Sequence, residues 1–198
     1  MIICTGIIKL DPAKTDQARA AIGTDPRVEL RVGNLLELEL DEPVDAVFSN
    51  ATFHWILDHE RLFARLFAAL RPGGTIEAQC GGEGNVAEWE RAVEAIMGDE
   101  RFVAYFRGMP SSWNFASVGD TQARLERAGF DVARVWLERK TYTPSDPREF
   151  VRVVGLAKHV DQLPEELHDE FVDAVLGSMV QPLTLEYVRL NISAARPA

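Results

Sequence analysis

Residues 44–51 of the chain are Val-Asp-Ala-Val-Phe-Ser-Asn-Ala, a mainly apolar run that ends in a Ser-Asn pair. The run from Val44 to Ser49 predicts a strand buried on both faces, as in a parallel sheet. Asp58 is then placed to cap a helix whose apolar residues recur at helical spacing, and Pro72-Gly73-Gly74 ends that helix. Residues 75–80 form the next predicted strand, so the region predicts a strand-helix-strand unit.

The residues on the N-terminal side of this run continue the alternation. Strands are predicted at 6–10 and 28–32, and Asp11-Pro12 begins a helix that ends at Gly23. Strands joined by helix-length crossovers form parallel sheets. The predicted fold class is therefore α/β, with a Rossmann-like and mostly parallel sheet.

The second half of the chain predicts more helix. Helices are expected at 86–97, 120–128, about 146–158 and 164–180, and strands at 131–139 and 184–192. The last two strands are expected to finish the sheet as an antiparallel pair. We interpret residues 1–198 as a single domain with a helical insertion at about 86–128.

Composition narrows the range of partners. The 198 residues carry 21 basic and 31 acidic side chains, a net charge of −10, which argues against nucleic acid or an anionic membrane as a main partner. The two cysteines fit no metal-ligand spacing and no disulfide framework. No signal segment or membrane span is predicted. We therefore expect a soluble cytoplasmic protein that acts on a small molecule and binds no metal.

Three motifs together resemble the class I S-adenosylmethionine-dependent methyltransferases. They are the run 44–51, then Phe53-His54-Trp55, then Leu70-Arg71-Pro72-Gly73-Gly74. More narrowly, with the glycines of 79–85, they resemble the trans-aconitate 2-methyltransferase-like branch. The resemblance covers the chain from about residue 7 and implies S-adenosylmethionine as cofactor. It further implies methyl transfer to a small-molecule acceptor, for which a carboxylate is one candidate.

The resemblance also implies a glycine-rich turn, with an acidic residue about 20 positions later that binds ribose hydroxyls. Asp11 fits that acidic residue, but only Gly6 precedes it among glycines. We expect the first strand and helix and their glycine loop to be missing from this chain. Cofactor binding is then expected to be weak or absent, unless Met1 is a misassigned start.

The resemblance assigns cofactor contacts to residues at strand ends: Asp11, Asn34, Leu35, Ser49, Asn50 and Ala51. Asp11 would bind the ribose. Asn34 would accept from the adenine amine, and Leu35 would pack on the ring. The alternatives are an ordinary helix cap at Asp11, a turn residue at Asn34 and a capping turn before a short helix at residues 49–51.

The acceptor side is assigned to aromatic residues. Trp55, Trp113 and Phe115 are expected to line the acceptor pocket, and His54 is the candidate general base for a hydroxyl or amine acceptor. A carboxylate would need no base. For all four residues, packing alone is the alternative.

Two other functions stay open at this point. One is a catalytically inactive remnant that acts as an interaction module, with homodimers formed through exposed sheet edges. The other is a nicotinamide-dependent oxidoreductase, although the order of the motifs argues against it.

Overall fold

The computed structural model describes residues 2–6, 20, 28–109 and 113–198. The chain divides into two compact units, each with its own hydrophobic core. The first unit is Met1–Glu83, Trp113–Leu137 and Leu190–Ala198, and the second is Gly84–Ser112 and Glu138–Arg189. The boundaries differ from the predicted single domain with an insertion at about 86–128. Residues 113–128 belong to the first unit, because Leu125 and Ala116 are buried in its core.

Six strands are described: β1 Ile2–Gly6, β2 Val28–Val32, β3 Val44–Asn50, β4 Leu70–Gly81, β5 Asp131–Tyr142 and β6 Leu185–Ala195. Strands β1 and β2 pair in parallel, and the other four form a sheet in the order β3-β4-β6-β5. Strands β3 and β4 are parallel. Strand β6 is antiparallel to β4, since Arg196 bonds Gly74 while Asn191 bonds Gln79.

This arrangement confirms the α/β class and the antiparallel final strands. It differs from the prediction in one respect, because we expected the strands to share one sheet. Among the described residues, the β1–β2 pair forms a sheet of its own, with no strand hydrogen-bonded between it and β3.

The α-helices in the described residues from 28 onward are α1 His59–Ala69, α2 Ala87–Met97, α3 Val118–Ala128, α4 Pro147–Phe150, α5 Ala157–Val160 and α6 His168–Gly177. Asp58 caps α1 as predicted, its Oδ1 accepting from the Arg61 N–H at 3.0 Å. Ser117 caps α3, and its hydroxyl accepts the Asp120 N–H at 3.0 Å, so the helix begins before the predicted position 120. The helix predicted at 146–158 is divided by a π-helical turn, Val151–Gly155. None of the helices in the described ranges has the length and apolar character that a membrane span requires.

The first predicted strand and helix fall largely outside the described residues. The described strand is Ile2–Gly6 where the sequence predicted 6–10, and residues 7–10 are not described. The predicted helix that begins at Asp11 lies outside the described residues except for Ala20, and Asp11 itself is among those left out.

The prediction that β3 is buried on both faces was wrong. Phe48 in its centre is 83% exposed, and alternate residues along the strand are exposed or half-buried. The physical reason is that strand side chains are buried by what packs over the faces of the sheet, and little of the described chain packs over β3, which lies at an edge and pairs with β4. The apolar residues of β3 are suited to burial, but their composition does not show that other residues pack over the strand.

The core of the first unit is built around α1. Leu62, Phe63 and Leu66 recur at helical spacing and are buried with Ile76 of β4 and Leu125 of α3. Burying a side chain of this size contributes about 1.5–3 kcal/mol. The core thus holds α1 against the sheet, and α1 begins where the segment that follows β3, residues 51–58, ends.

The C-terminal residues close the first unit through Arg196. Its Nη1 donates to the carbonyls of Phe67 and Leu70 at 3.1 and 2.8 Å, and its guanidinium lies 4.7 Å from the Phe67 ring. The last carbonyls of a helix have no partner within the helix, so a cation that binds them stabilises that end.

We expect Arg196→Ala to lower the free energy of unfolding by about 1 kcal/mol, measured by urea denaturation. Arg71→Ala is the control, because Arg71 makes an exposed ion pair with Asp45 and its removal should change stability by less than about 0.5 kcal/mol. Equal losses for both variants would contradict this role.

The second unit has an aromatic core. Phe171 lies 5.1 Å from Phe102 and 5.2 Å from Phe106, measured between ring centroids, and all three side chains are buried. Trp89 packs so closely on Gly155 that no Cβ fits there. The second unit therefore has well-defined packing of its own.

Candidate functional site

The chain leaves β3 through a sharp turn at Ala51. Its φ is +56°, a conformation that L residues seldom adopt, and its N–H donates to the Gln79 carbonyl of β4 at 2.7 Å. The hydroxyl of Thr52 donates to the Asn50 carbonyl at 3.2 Å. Asn50 is exposed at this turn and Ser49 is half-buried. Unusual backbone conformations of this kind cluster at binding and catalytic sites.

A 3-10 helix, Phe53–Trp55, follows the turn and presents two aromatic side chains. Phe53 is 1% exposed and packs edge-on against Phe63 at 6.0 Å between centroids. This anchor fixes the short helix, while His54 and Trp55 beside it stay half-buried. Phe53 is buried and the next two residues are half-buried, so the rings of His54 and Trp55 lie at the surface of the first unit.

Four residues predicted for the acceptor side lie together, and we call them the aromatic cluster: His54, Trp55, Trp113 and Phe115. Ring centroids are 5.1 Å apart for His54 and Trp55, 5.8 Å for His54 and Phe115, and 5.8 Å for Trp55 and Trp113. Trp113 stacks on Phe115 at 5.4 Å. The structure therefore brings together side chains that are about 60 positions apart in sequence.

Asn114 connects the two segments of the aromatic cluster. Its backbone N–H donates to the His54 carbonyl at 2.8 Å, and its side-chain Nδ2 donates to the Leu57 carbonyl at 2.9 Å. The position of the rings is thus set by backbone hydrogen bonds as well as by packing.

The end of β4 fixes the ring of His54. The Gly81 N–H donates to His54 Nδ1 at 3.1 Å. Gly81 and its neighbour Gly82 are both buried. A Cβ at Gly82 would lie 2.6 Å from Leu137 Cδ2 and 2.7 Å from Leu190 Cβ. Gly82 therefore allows a close approach that a larger residue would prevent.

Asn34 follows β2 and caps a second 3-10 helix, Leu35–Glu37. Its Oδ1 accepts the Leu36 N–H at 3.0 Å, which is the turn role that the sequence left open. Leu35 is 5% exposed and shares a core with Phe53. Since the carbonyl oxygen has a second lone pair, a role for Asn34 toward adenine stays a prediction. Because Leu35 is buried, only a small part of its side chain could contact an adenine ring.

The chemistry of the turn fits the cofactor that the resemblance implies. Residues 49–55 supply a hydroxyl, an amide and aromatic rings, and they contain no lysine or arginine. A sulfonium cation would be repelled by a basic side chain and attracted by aromatic faces. Among the described residues, no group of three or more His, Cys, Asp or Glu side chains could hold a metal ion.

Sequence reasoning missed the polar residues that support this site from the sheet. The Gln79 side-chain Nε2 donates to Asn191 Oδ1 at 2.7 Å, and Asn191 is 6% exposed. The signal was present, because both are polar residues within otherwise apolar strands. Gln79 therefore connects the Ala51 turn, through its backbone carbonyl, to β6, through its side chain.

The second missed residue is His59 at the start of α1. It is 3% exposed, and its Nε2 donates to the Phe53 carbonyl at 3.0 Å, while Nδ1 has no hydrogen-bond partner in the described part of the chain. Burial, opposed by the Phe53 hydrogen bond and aided by Arg124, lowers the pKa of His59 below its ordinary value of 6.5. The ring is therefore neutral in the folded protein near neutral pH.

The lowered pKa of His59 predicts acid sensitivity of the fold. At pH values between the folded and unfolded pKa, the unfolded chain binds more protons, so stability is full above pH 6.5 and falls as the pH drops below it. His159 in the second unit also has a lowered pKa, caused by burial and by Lys158. We expect urea denaturation from pH 8 to pH 5 to show this loss, with a slope of at most about 1.4 kcal/mol per pH unit for each histidine.

His59→Gln keeps a donor for the Phe53 carbonyl and cannot be protonated. It should reduce the pH dependence, and adding His159→Gln should reduce it further. An unchanged pH dependence in the double variant would contradict the assignment.

Comparison with known proteins agrees with the fold. Residues 4–78 match the family described as a methyltransferase domain. A trans-aconitate 2-methyltransferase from Methylobacterium nodulans is 28% identical over an alignment of 205 positions, which covers 96% of this chain and 77% of the relative. One from Delftia acidovorans is 28% identical over 170 positions, covering 77% of this chain and 63% of the relative. A solved S-adenosylmethionine-dependent methyltransferase from Mesorhizobium loti has a TM-score of 0.51 at 20% identity, covering 98% of this chain and 79% of that one.

The family match over residues 4–78 and the sequence relatives make the chain similar to the class I S-adenosylmethionine-dependent methyltransferases, and the turn after β3 agrees with that similarity. Among these proteins it is similar to trans-aconitate 2-methyltransferases, and it spans 77% and 63% of the length of the two named here. The cofactor of the family is S-adenosylmethionine. These comparisons support neither the nicotinamide-dependent oxidoreductase nor the inactive remnant.

Proposed function

We propose that the chain takes part in methyl transfer from S-adenosylmethionine to a carboxylate oxygen of a small acid. The observation that carries the proposal is the position of the aromatic cluster directly after the Ala51 turn. Ser49 and Asn50 would bind polar groups of the cofactor on one side of this turn. His54 and Trp55 would bind the acceptor on the other.

When bound, the cofactor supplies an electrophilic methyl group on a sulfonium. The protein's part is then to hold the acceptor oxygen in line and to keep water away from it. The packed rings of Trp113 and Phe115 are suited to excluding water, and the Gly81 hydrogen bond keeps the His54 ring in one orientation. An ionised carboxylate has no proton to lose when its oxygen forms the ester, so the site needs no general base.

Carboxylate as the acceptor class is supported by the names of the relatives, since trans-aconitate is a tricarboxylate. The direct experiment incubates the protein with S-adenosylmethionine and trans-aconitate and follows the methyl ester by mass spectrometry. Two analogues of trans-aconitate, one with a hydroxyl group and one with an amino group in place of a carboxylate, serve as competing acceptors. We expect transfer to the carboxylate and none to the alcohol or amine. Methylation of the alcohol or amine in its place would overturn the proposed acceptor.

Trp113 provides a test of the acceptor side. Removal of one aromatic contact is worth about 1.4 kcal/mol, so Trp113→Ala should raise the KM for the acceptor about tenfold. Trp136→Ala is the matched control, because Trp136 on β5 lies under the Arg134 guanidinium and outside the aromatic cluster. Steady-state kinetics with each variant checks this, and equal effects of the two substitutions on KM would contradict it.

A further inference from the structure

The hydrogen bond between Gly81 and His54 fixes the protonation pattern of the imidazole. A backbone N–H can only donate, so Nδ1 must be the unprotonated nitrogen that accepts at 3.1 Å. In a neutral imidazole the one proton then lies on Nε2. A proton on Nδ1 would set two donors against each other inside a partly buried contact.

This tautomer bears on the role of His54 in the reaction. A general base needs a lone pair directed at the substrate, and the lone pair of Nδ1 is directed at the backbone of β4. Nε2 already carries a proton. Any hydrogen bond from the neutral ring to an acceptor oxygen is therefore one that His54 donates.

We propose that His54 is a positioning residue, held as the Nε2-protonated neutral tautomer by Gly81, which donates a hydrogen bond to an acceptor oxygen that arrives already ionised. This replaces the role of general base that the sequence suggested for His54. The second half of the proposal rests on the proposed function and restricts the acceptor to carboxylates over hydroxyl or amine groups. The tautomer itself does not depend on that function.

The rigidity of the contact supports the assignment. Gly81 is the last residue of β4 and is buried, so its N–H cannot turn away. On the other side, the His54 carbonyl accepts from Asn114, and the ring lies against Trp55 and Phe115. The backbone and the ring of His54 are thus both held in place.

The first test uses nitrogen NMR of protein labelled with nitrogen-15 in its four histidines, without cofactor or acceptor. His54→Asn identifies the His54 signals by their loss. We expect an unprotonated, hydrogen-bonded Nδ1 and a protonated Nε2 at neutral pH. A protonated Nδ1 would overturn the proposal whether or not any acceptor is methylated.

The second test compares two variants that each keep half of the ring's function. His54→Asn retains a carbonyl oxygen for the Gly81 N–H and loses the donor at Nε2. His54→Gln places an amide donor near Nε2. We expect His54→Asn to raise the acceptor KM about tenfold with kcat changed less than threefold, and His54→Gln to keep KM within about threefold of the original.

A general base would give a different result. Both variants would then lose about 100-fold or more in kcat, and the acid limb of the pH profile of kcat would change with them. That outcome would overturn the positioning role. Thermal unfolding of each variant separates a loss of folding from a loss of function. If the unsubstituted protein transfers no methyl group at all, the proposed function is contradicted. The NMR result still tests the tautomer of His54 in that case.

Discussion

Gly82→Ala is expected to destabilise the first unit by about 3 kcal/mol, at the upper end of the range for overpacked cores. The added Cβ would lie 2.7 Å from Leu190 Cβ and 2.6 Å from Leu137 Cδ2. The Leu137 side chain can rotate away, but the Cβ of Leu190 is fixed to the backbone of β6. The strand itself must therefore shift, and with it Gly81, which holds His54.

Gly119→Ala is the matched control for this substitution. Gly119 lies in α3 of the same unit, and a Cβ there meets nothing within 4 Å. Alanine in a helix is more favourable than glycine, so this variant should gain about 0.5–1 kcal/mol. Urea denaturation of the two variants measures opposite changes in the free energy of unfolding. A loss below about 0.5 kcal/mol for Gly82→Ala would show that β4 and β6 are packed less closely than described.

Ala51→Val is expected to weaken cofactor binding about 30-fold. At a φ of +56° a β-branched residue is strained by about 2 kcal/mol more than alanine. The chain would relieve that strain by leaving the turn, which breaks the hydrogen bond to the Gln79 carbonyl. The turn conformation in which Asn50 is proposed to bind the cofactor would then be a minor one, and the apparent affinity would fall in proportion.

Ala51→Gly distinguishes the conformation of the turn from the contacts of its side chain. Glycine adopts positive φ freely, so this variant should bind S-adenosylhomocysteine within about threefold of the original affinity. Calorimetric titration of both variants provides the comparison. If valine and glycine weaken binding equally, the methyl group of Ala51 matters and the backbone conformation does not.

The sequence predicted the order of the elements well because each carries a local signal. Apolar runs marked β3 and β4, helical spacing marked α1, and the Asp58 cap occurred where expected. What it could not predict depends on neighbours distant in the chain. The exposure of Phe48 follows from how little of the described chain packs over β3, and no property of residues 44–50 reports that packing.

The candidate site shows the same division. The turn after β3 and the His54-Trp55 pair could be located from residues 44–55 and the family resemblance. The contact of His54 with Gly81 could not, because it joins residues 27 positions apart through a backbone donor that every residue except proline has. The buried position of His59 was missed for a related reason, since a histidine beside a helix cap is usually exposed.

Two further expectations remain predictions, beside the role of Asn34 toward adenine. Asp11 lies outside the described residues, so its role toward the ribose depends on the resemblance. Dimerisation through exposed sheet edges also stays a prediction, which size-exclusion chromatography with light scattering can test.

The most direct test of the account is a nitrogen-proton NMR titration of the labelled protein with S-adenosylhomocysteine, a method that detects and locates even weak binding. The account predicts that the backbone amides of residues 34–36 and 49–55 shift first and most. Shifts confined to residues 84–109 and 138–189, or no shift at millimolar ligand, would contradict the placement of the cofactor at the end of β3.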